Sequence, residues 1–561
     1  MSAPRGAAPT AAALPAAAGL SLAAQTQYTL AAAAAALVLR KLERLACEPA
    51  PPPPAPVPAA AGGDALLCGW RDALRDAGAP DAVAAGALLL AGLLAAALLA
   101  RLLRRLLMKP RVYIVDFAVH KPHPSWLFSR ADVRRLAEDN GQIAPDDIDF
   151  MDKLAYRSGL ADRTAVVPAI QQNMDHRPGV ECAREEYEAT CFAAAADVLA
   201  KAGVAPGRVK FVITNSSLFN PTPSLSAALI NHFGMPDDTI NYSLGGMGCS
   251  AGVVALDLAR ELLQNNPGNY ALVVSHENIT NSYYTGSDKS MLVANTLFRA
   301  NGAAVLLSSR PADAAGSKYT LRHIVRTNMA ADDEAYRCVW QTDDAAHNQG
   351  VSLKKELIGV AGRAVARNMA RLGPLVLPVS EQLKYAARAA LRAALKRLPK
   401  SVSAAVPVPP AWRAPYTPNF SRAFDAACIH TGGRGVIDSM EKNLGMSKDM
   451  VEASRAALYR FGNTSSCSVW YELAYVESAT GLRRGARVWQ IAFGSGFKCN
   501  SAVLVANRTI HDAHAAWEGF DRAAMYKQLD AIEKEAAAAR ARKAADRAAA
   551  EEAAAAAAAA R

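Results

Sequence analysis

From Val112 to Ala506 the chain alternates short runs of β-branched and apolar residues with longer runs whose apolar residues recur at helical spacing. This alternation restricts the fold more than any other feature. Val209 to Thr214, Tyr270 to Ser275 and Ala303 to Leu307 read as strands buried on both faces, and Arg184 to Ala202 and Ser250 to Leu263 as the helices between them. After Tyr319 the pattern resumes. Strands are expected at Tyr319 to Arg326, Ala427 to His430, Val488 to Phe493 and Ala502 to Ala506, and helices at Leu353 to Leu372, Val451 to Tyr459 and Val469 to Glu477. Such a chain folds as an α/β protein with a parallel or mixed sheet covered by helices. Two similar halves, 109–318 and 319–510, are expected, although no direct repeat relates them.

The flanks differ from this body. Ala82 to Ala100 is uncharged and rich in Leu and Ala, and it is followed by Arg101, Arg104, Arg105, Lys109 and Arg111. Nineteen residues at about 1.5 Å each cover roughly 28 Å, and Leu102 and Leu103 extend the run, so 82–103 is expected to span a bilayer with the body on the cytosolic side. Leu20 to Leu39 is a second candidate, interrupted by Gln25, Thr26 and Gln27, and the Pro-rich linker at 48–64 separates the two. Residues 1–108 are therefore expected to form a membrane region and 511–561 a low-complexity helical tail, of which Ala531 to Arg561, Ala with Glu, Lys and Arg, reads as a solvated helix. The net charge of +11 favours acidic ligands, but no dense Lys/Arg tract lies between Leu107 and Arg508, which argues against nucleic acid. Nine dispersed cysteines, an odd number without a Cys-x-x-Cys pair, argue against a disulfide framework or a structural metal site and suit a reducing compartment.

Four short segments carry residues suited to chemistry. Cys249 follows the glycine-rich stretch Asn241 to Gly248 and precedes a helix, a place where free backbone N–H groups and the helix dipole favour a thiolate. A small buried structural cysteine is the alternative reading. His430 stands at the end of an apolar strand before Gly432 and Gly433, either pointing into a cleft at a strand's carboxyl end or serving a structural role. Asn463, in Arg460-Phe-Gly-Asn-Thr-Ser-Ser-Cys-Ser468, is a fixed amide donor or a helix cap. Gly494, Ser495 and Gly496 close a strand and let backbone N–H groups face a ligand.

Together these segments resemble the decarboxylating condensing enzymes of the thiolase fold, and more narrowly the plant and algal 3-ketoacyl-CoA synthases. The likeness also rests on Lys109 to Phe117, Asn215 to Ser226, Glu277 to Thr280, Lys289 to Leu292, Leu372 to Pro378 and Gly494 to Val503. It implies a layered αβαβα fold behind N-terminal membrane helices. It also implies a two-stage reaction in which Cys249 takes the acyl group from acyl-CoA, and His430 with Asn463 holds the enolate formed as malonyl-CoA loses carbon dioxide. The Cys249 N–H and the 494–496 loop would form the oxyanion hole, and Arg434 and Lys498 are candidates for CoA phosphates. The resemblance implies no metal or redox cofactor, a homodimer at the endoplasmic reticulum membrane, and contact with the reductases and dehydratase of an elongase. Thiolases that cleave rather than condense place a second cysteine before the last glycine loop; here that side reads Ile491-Ala-Phe, and Cys499 follows the loop. Asn328 and Tyr459 stand where the family usually has histidine, as does Ala426, and Cys467 replaces a common serine. A polyketide synthase of the same fold and a silent elongase scaffold are the competing readings.

Overall fold

The computed structural model describes residues 109–172, 179–399, 401 and 407–559, with Gly92 and Ala96 alone before them. The expected spans at 20–39 and 82–103 and the linker at 48–64 lie outside the described residues. Among the described residues, no helix is long and apolar enough to cross a membrane.

Nine strands make the main sheet: β1 (Tyr113–Val119), β2 (Val209–Ser216), β3 (Ile240–Gly245), β4 (Tyr270–His276), β5 (Gly302–Ser308), β6 (Tyr319–Asn328), β7 (Ala426–Ile429), β8 (Arg487–Gly494) and β9 (Lys498–Ala506). Their order is β7-β8-β9-β6-β1-β5-β4-β2-β3. The helices that position the site are α1 (Ala193–Ala202), α2 (Ala251–Asn265), α3 (Leu357–Val376), α4 (Val379–Arg397), α5 (Arg434–Leu444), α6 (Lys448–Phe461), α7 (Ser468–Tyr475) and α8 (Arg522–Ala559).

The two sides of the sheet repeat one pattern. β2 runs parallel to β4, which pairs antiparallel with β5, and β5 antiparallel with β1. Correspondingly, β7 runs parallel to β8, then β9 and β6 follow antiparallel. The halves join at β1 and β6 through only two residue pairs, Tyr113 with Thr320 and Ile114 with Tyr319. So short a seam lets the half-sheets face each other across a helical layer. One core cluster gathers Val253, Leu256 and Ala259 of α2 with Trp470, Leu473 and Ala474 of α7, and with Phe211, Val273, Val488 and Leu504 from both half-sheets. The outer face of the first half is covered by α1, where Val198 and Leu199 meet Val212, Leu272 and Leu306. The outer face of the second half packs Ile429, Trp489 and Val503 under Val360, Ala364 and Leu372 of α3 and Ile437 of α5. The layers are αβαβα, with strand residues pointing alternately to the central and outer cores as a period of two requires.

Two elements differ from the sequence reading. The helix expected from Leu353 starts at Leu357, because Gln349–Leu353 pairs with Val339–Asp343 as a small antiparallel hairpin. The tail is only partly solvated. Met525 and Ile532 are buried, and Gln528 donates to the Leu160 carbonyl (2.7 Å), so the first turns of α8 dock on the body.

A buried cation sits at the seam. Lys318 Nζ lies 2.9 Å from Asp116, 2.8 Å from Glu477 and 2.9 Å from Asp512, with 2% of its side chain exposed. Burial opposes the charge, but Glu477 and Asp116 outweigh it and hold the ammonium protonated. Removing one partner from such a cluster leaves uncompensated charge, at a typical cost of about 3–5 kcal/mol. Lys318→Met is expected to lower the denaturant midpoint by a corresponding amount, and an unchanged midpoint would show that the seam does not depend on it.

Candidate active site

The sequence-chosen residues arrive from four directions. β3 leads through Gly246 and Gly248 to Cys249 just before α2; β7 ends at Ile429 and delivers His430; α6 ends at Phe461 and the chain passes Asn463 before α7; and the turn between β8 and β9 holds Gly494 to Gly496. All of these loops lie at the carboxyl ends of β7 and β8 or beside them, where strands of an α/β sheet present their ligands. Cys249, His430, Asn463, Gly494 and Ser495 line one cavity of about 880 Å³.

Close backbone contact makes this convergence possible. Gly248 has φ +71°, and a Cβ there would lie 2.3 Å from the Ser495 nitrogen and 2.8 Å from Gly494 Cα. A Cβ on Gly252, in the first turn of α2, would meet the Ser466 carbonyl oxygen at 2.7 Å. Side chains at either position would push the two halves apart, so the glycines bring the Cys249 and Ser495 amides to one end of the cavity.

The polar atoms are aimed by neighbours. Asn463 Oδ1 accepts from the Ser465 N–H (2.8 Å), which assigns the side-chain oxygen to the backbone and leaves the NH₂ group to the cavity. The Asn463 backbone bridges the halves, its N–H donating to Leu297 O and its carbonyl accepting from Arg299 N. His430 Nδ1 is 2.8 Å from Ser468 Oγ, which fixes the ring and leaves Nε2 as the working nitrogen. Ser465 adopts φ +49°, a left-handed conformation uncommon for a residue with a side chain. It is held there because its hydroxyl donates to Glu277 Oε2 (2.9 Å) while Glu277 Oε1 accepts from the N–H groups of Ser217 and Leu218 (3.0 Å each). The same hydroxyl is a hydrogen-bond partner of the Cys249 thiol.

Burial shapes the charge state. It pushes the Cys249 thiol up to about 12, against the lowering effect of Ser465, and pushes His430 down to about 4. The resting pair is thus a thiol and a neutral imidazole. The helix N-terminus favours the anion and desolvation on the cavity floor opposes it.

Other expectations fare differently. Arg434 and Lys498 are not among the residues lining the cavity. Lys498 Nζ instead donates to the Ser495 carbonyl (2.8 Å), bracing the loop. Arg434 lies 4.0 Å from Asp438 on its own helix. Asn328 is exposed at the end of β6, and Tyr459 packs against Phe520, so neither lines the cavity. Ala426 and Cys467 are buried, the Cys467 thiol donating to the Ser275 carbonyl. Glu277, Ser465 and Ser468 were not singled out in the sequence; the run of three hydroxyl residues after Asn463 was the available signal.

Losing a hydrogen bond of this kind typically costs about 1 kcal/mol, more when it fixes a reacting group. Ser468→Ala is expected to lower kcat about tenfold or more with the fold intact, and Ser468→Thr to restore most of it. Alkylation of Cys249 by iodoacetamide is expected to be slow at pH 7 and to accelerate through the alkaline range; a plateau below pH 8 would indicate a resting thiolate.

Comparison with known proteins agrees with this geometry. Residues 105–394 match the family described as FAE1/type III polyketide synthase-like protein, and 417–506 match the C-terminal domain of chalcone and stilbene synthases. The chain is 47% identical to 3-ketoacyl-CoA synthase 2 of Arabidopsis thaliana over 402 residues, covering 71% of this chain and 74% of the relative. It is 46% identical to the probable 3-ketoacyl-CoA synthase 20 of rice, Oryza sativa subsp. japonica, covering 72% and 75%. Among solved structures, the type III polyketide synthase domain of Steely1 from Dictyostelium superposes with a TM-score of 0.55 at 16% identity, covering 71% of this chain and 99% of that one. The tetrahydroxynaphthalene synthase of Streptomyces coelicolor gives 0.53 at 20% identity, covering 70% and 99%. The solved structures establish the shared thiolase-like fold, and the sequence relatives establish that this chain belongs to the 3-ketoacyl-CoA synthases of the FAE1/type III polyketide synthase-like family.

Proposed function

We propose that this chain condenses a long-chain acyl-CoA with malonyl-CoA, releasing carbon dioxide and forming a 3-oxoacyl-CoA two carbons longer. The observation that carries this reading is the meeting of Cys249, His430 and Asn463 at one cavity whose walls are otherwise mostly apolar. Cys249 attacks the thioester carbonyl as its proton passes to His430 Nε2, and CoA leaves as a thiolate that takes a proton from solvent, so His430 Nε2 keeps its own for the second stage. Malonyl-CoA then binds with its thioester oxygen between His430 Nε2–H and the Asn463 amide. These donors stabilise the enolate as the carboxylate departs, and the enolate carbon attacks the acyl-cysteine. The Cys249 and Ser495 amides hold the oxyanion of each tetrahedral intermediate, a contribution of about 2.7–4 kcal/mol for one such donor. Collapse breaks the Cys249 carbon–sulfur bond, and the released thiolate recovers its proton from His430 Nε2. None of these steps calls for a metal or redox cofactor.

The cavity has the form of a hydrocarbon sleeve. α3 supplies Ala361, Val365, Ala366 and Met369 on one side, and α5 supplies Val436 and Met440 on the other. The path from Gly362 to Leu377, both of which line the cavity, follows α3 for about 22 Å at about 1.5 Å per residue, enough for an extended chain of roughly eighteen carbons.

The same reading places the enzyme at the endoplasmic reticulum membrane, anchored through 20–39 and 82–103 with its condensing body in the cytosol, working beside the reductases and dehydratase of elongation. A homodimer is supported by β3, a sheet edge along which Ile240 and Tyr242 are 43% and 39% exposed.

Membranes carrying the wild type are expected to extend labelled acyl-CoA once, and Cys249→Ala to yield no product although it is inserted and folded. Repeated extension would favour the polyketide reading, and no product from the wild type with any acyl-CoA would favour the scaffold. A Cβ on Gly362 meets nothing within 4 Å. Gly362→Leu is therefore expected to fill the sleeve and shift product length downward by several carbons while activity toward medium-chain acyl-CoA persists.

A further inference from the structure

Among the described residues, one face of α4 has no protein against it. Val379, Leu383, Ala386, Ala390 and Ala394 follow one another at spacings of four, three, four and four, which puts them in a single line along the helix. All five are exposed, Val379 by 69% and Leu383 by 64%. The opposite face is fastened to the body by polar groups. Glu381 is buried and accepts from Tyr416 Oη (2.6 Å), Arg422 (3.0 Å), Lys384 (3.1 Å) and the Asn419 N–H (3.2 Å). The Arg388 guanidinium lies over the rings of Trp412 and Tyr416, at 5.0 and 4.8 Å from their centroids. An ordinary surface helix buries its apolar stripe and shows its charges to water. Here the anchoring is reversed.

The surroundings identify what covers this stripe. Leu375 before the helix and Leu398 at its end are also exposed, by 49% and 41%. Arg397 closes the end of the stripe, with Lys396 farther round the helix, and no Asp or Glu occurs between Glu381 and Asp425. Exposed apolar residues ending in Lys396 and Arg397, in a stretch without acidic residues, match the acyl and headgroup layers of an anionic bilayer. A second copy fits less well, since two such faces would bring like charges together. The helix also reaches the reaction cavity, because Gln382 and Tyr385 line it and Tyr385 is 51% exposed.

We propose that α4 is an in-plane lipid-binding helix that seats the condensing domain on an anionic membrane surface, with the far end of the Cys249 cavity opening beside it. The lipid contact stands on the helix alone; that the cavity holds an acyl chain rests on the function proposed above.

The test uses the full chain in bilayers of phosphatidylcholine with or without phosphatidylserine, containing lipids brominated on their acyl chains. Leu383→Trp adds an indole to the stripe, and Arg540→Trp places one on the exposed part of α8 as a control. Emission over the wild-type background from the Leu383→Trp indole is expected to be blue-shifted and quenched, more strongly with phosphatidylserine, while the control stays unquenched. Adding Lys396→Glu and Arg397→Glu is expected to reduce the quenching at least twofold. An unquenched, red-emitting indole at both lipid compositions would overturn the proposal. So would a blue shift without bromine quenching that fades at one protein per bilayer disc, which would show a second copy on this face. Quenching in a protein without condensing activity would remove the function but leave the lipid contact standing.

Discussion

The site depends on two stretches of backbone passing closer than side chains allow. Gly248 meets Gly494 and Ser495 at distances that a Cβ on Gly248 would close to 2.3 Å, and Gly252 meets Ser466 in the same way. The first member of each pair belongs to the half that carries the nucleophile, and the second to the half that carries its partners. The seam between β1 and β6 is too short to enforce this approach by sheet pairing. It is enforced by the shared central core of α2 and α7 and by the Lys318 cluster, which places one cation among carboxylates from three parts of the chain. Packing in the middle of the molecule therefore sets the distance at which the chemistry occurs.

Desolvation then acts on what that packing assembles. A thiol beside a helix start would ordinarily gain acidity, yet on the cavity floor it is pushed up to about 12 and the imidazole down to about 4. Both groups are held neutral by the same low-dielectric surroundings that suit a hydrocarbon substrate. Orientation replaces charge as the means of activation: Ser468 fixes the ring, Ser465 approaches the thiol, and Glu277 holds Ser465 in an uncommon backbone conformation.

Much of the fold was legible in the sequence because its strands are buried on both faces and so appear as unbroken apolar runs. β2 and β4 differ from the expected bounds by one or two residues at their ends. Cys249, His430 and Asn463 were legible as candidates because each interrupts a regular element with glycine or a turn, and the structure brings them to one cavity. Less visible were features created by tertiary contact. Nothing local marks Glu277 as the acceptor for Ser465, since they stand far apart in sequence. The hairpin that delays α3 offers the same apolar spacing as a first helical turn would. α4, rich in Ala, Lys and Arg, carries too little apolar contrast to announce a stripe, and its outward orientation is decided by Glu381 and Arg388 meeting residues beyond its own end.

The cavity walls also divide the work between the halves. Cys249 and Glu277 come from the first half, whereas the length of the cavity is defined by α3, α5 and the residues near Phe420, all from the second. The turn that carries Cys249 and the helices that set the cavity's length thus come from different stretches of chain, which meet at the glycines, at the Ser465–Glu277 hydrogen bond and in the shared central core. Changes along α3 or α5 can alter which substrates fit without altering the nucleophile's turn. A single reaction centre can accordingly be retained while its ruler is lengthened or shortened, so a lineage built on this plan can diversify its products by wall substitutions alone.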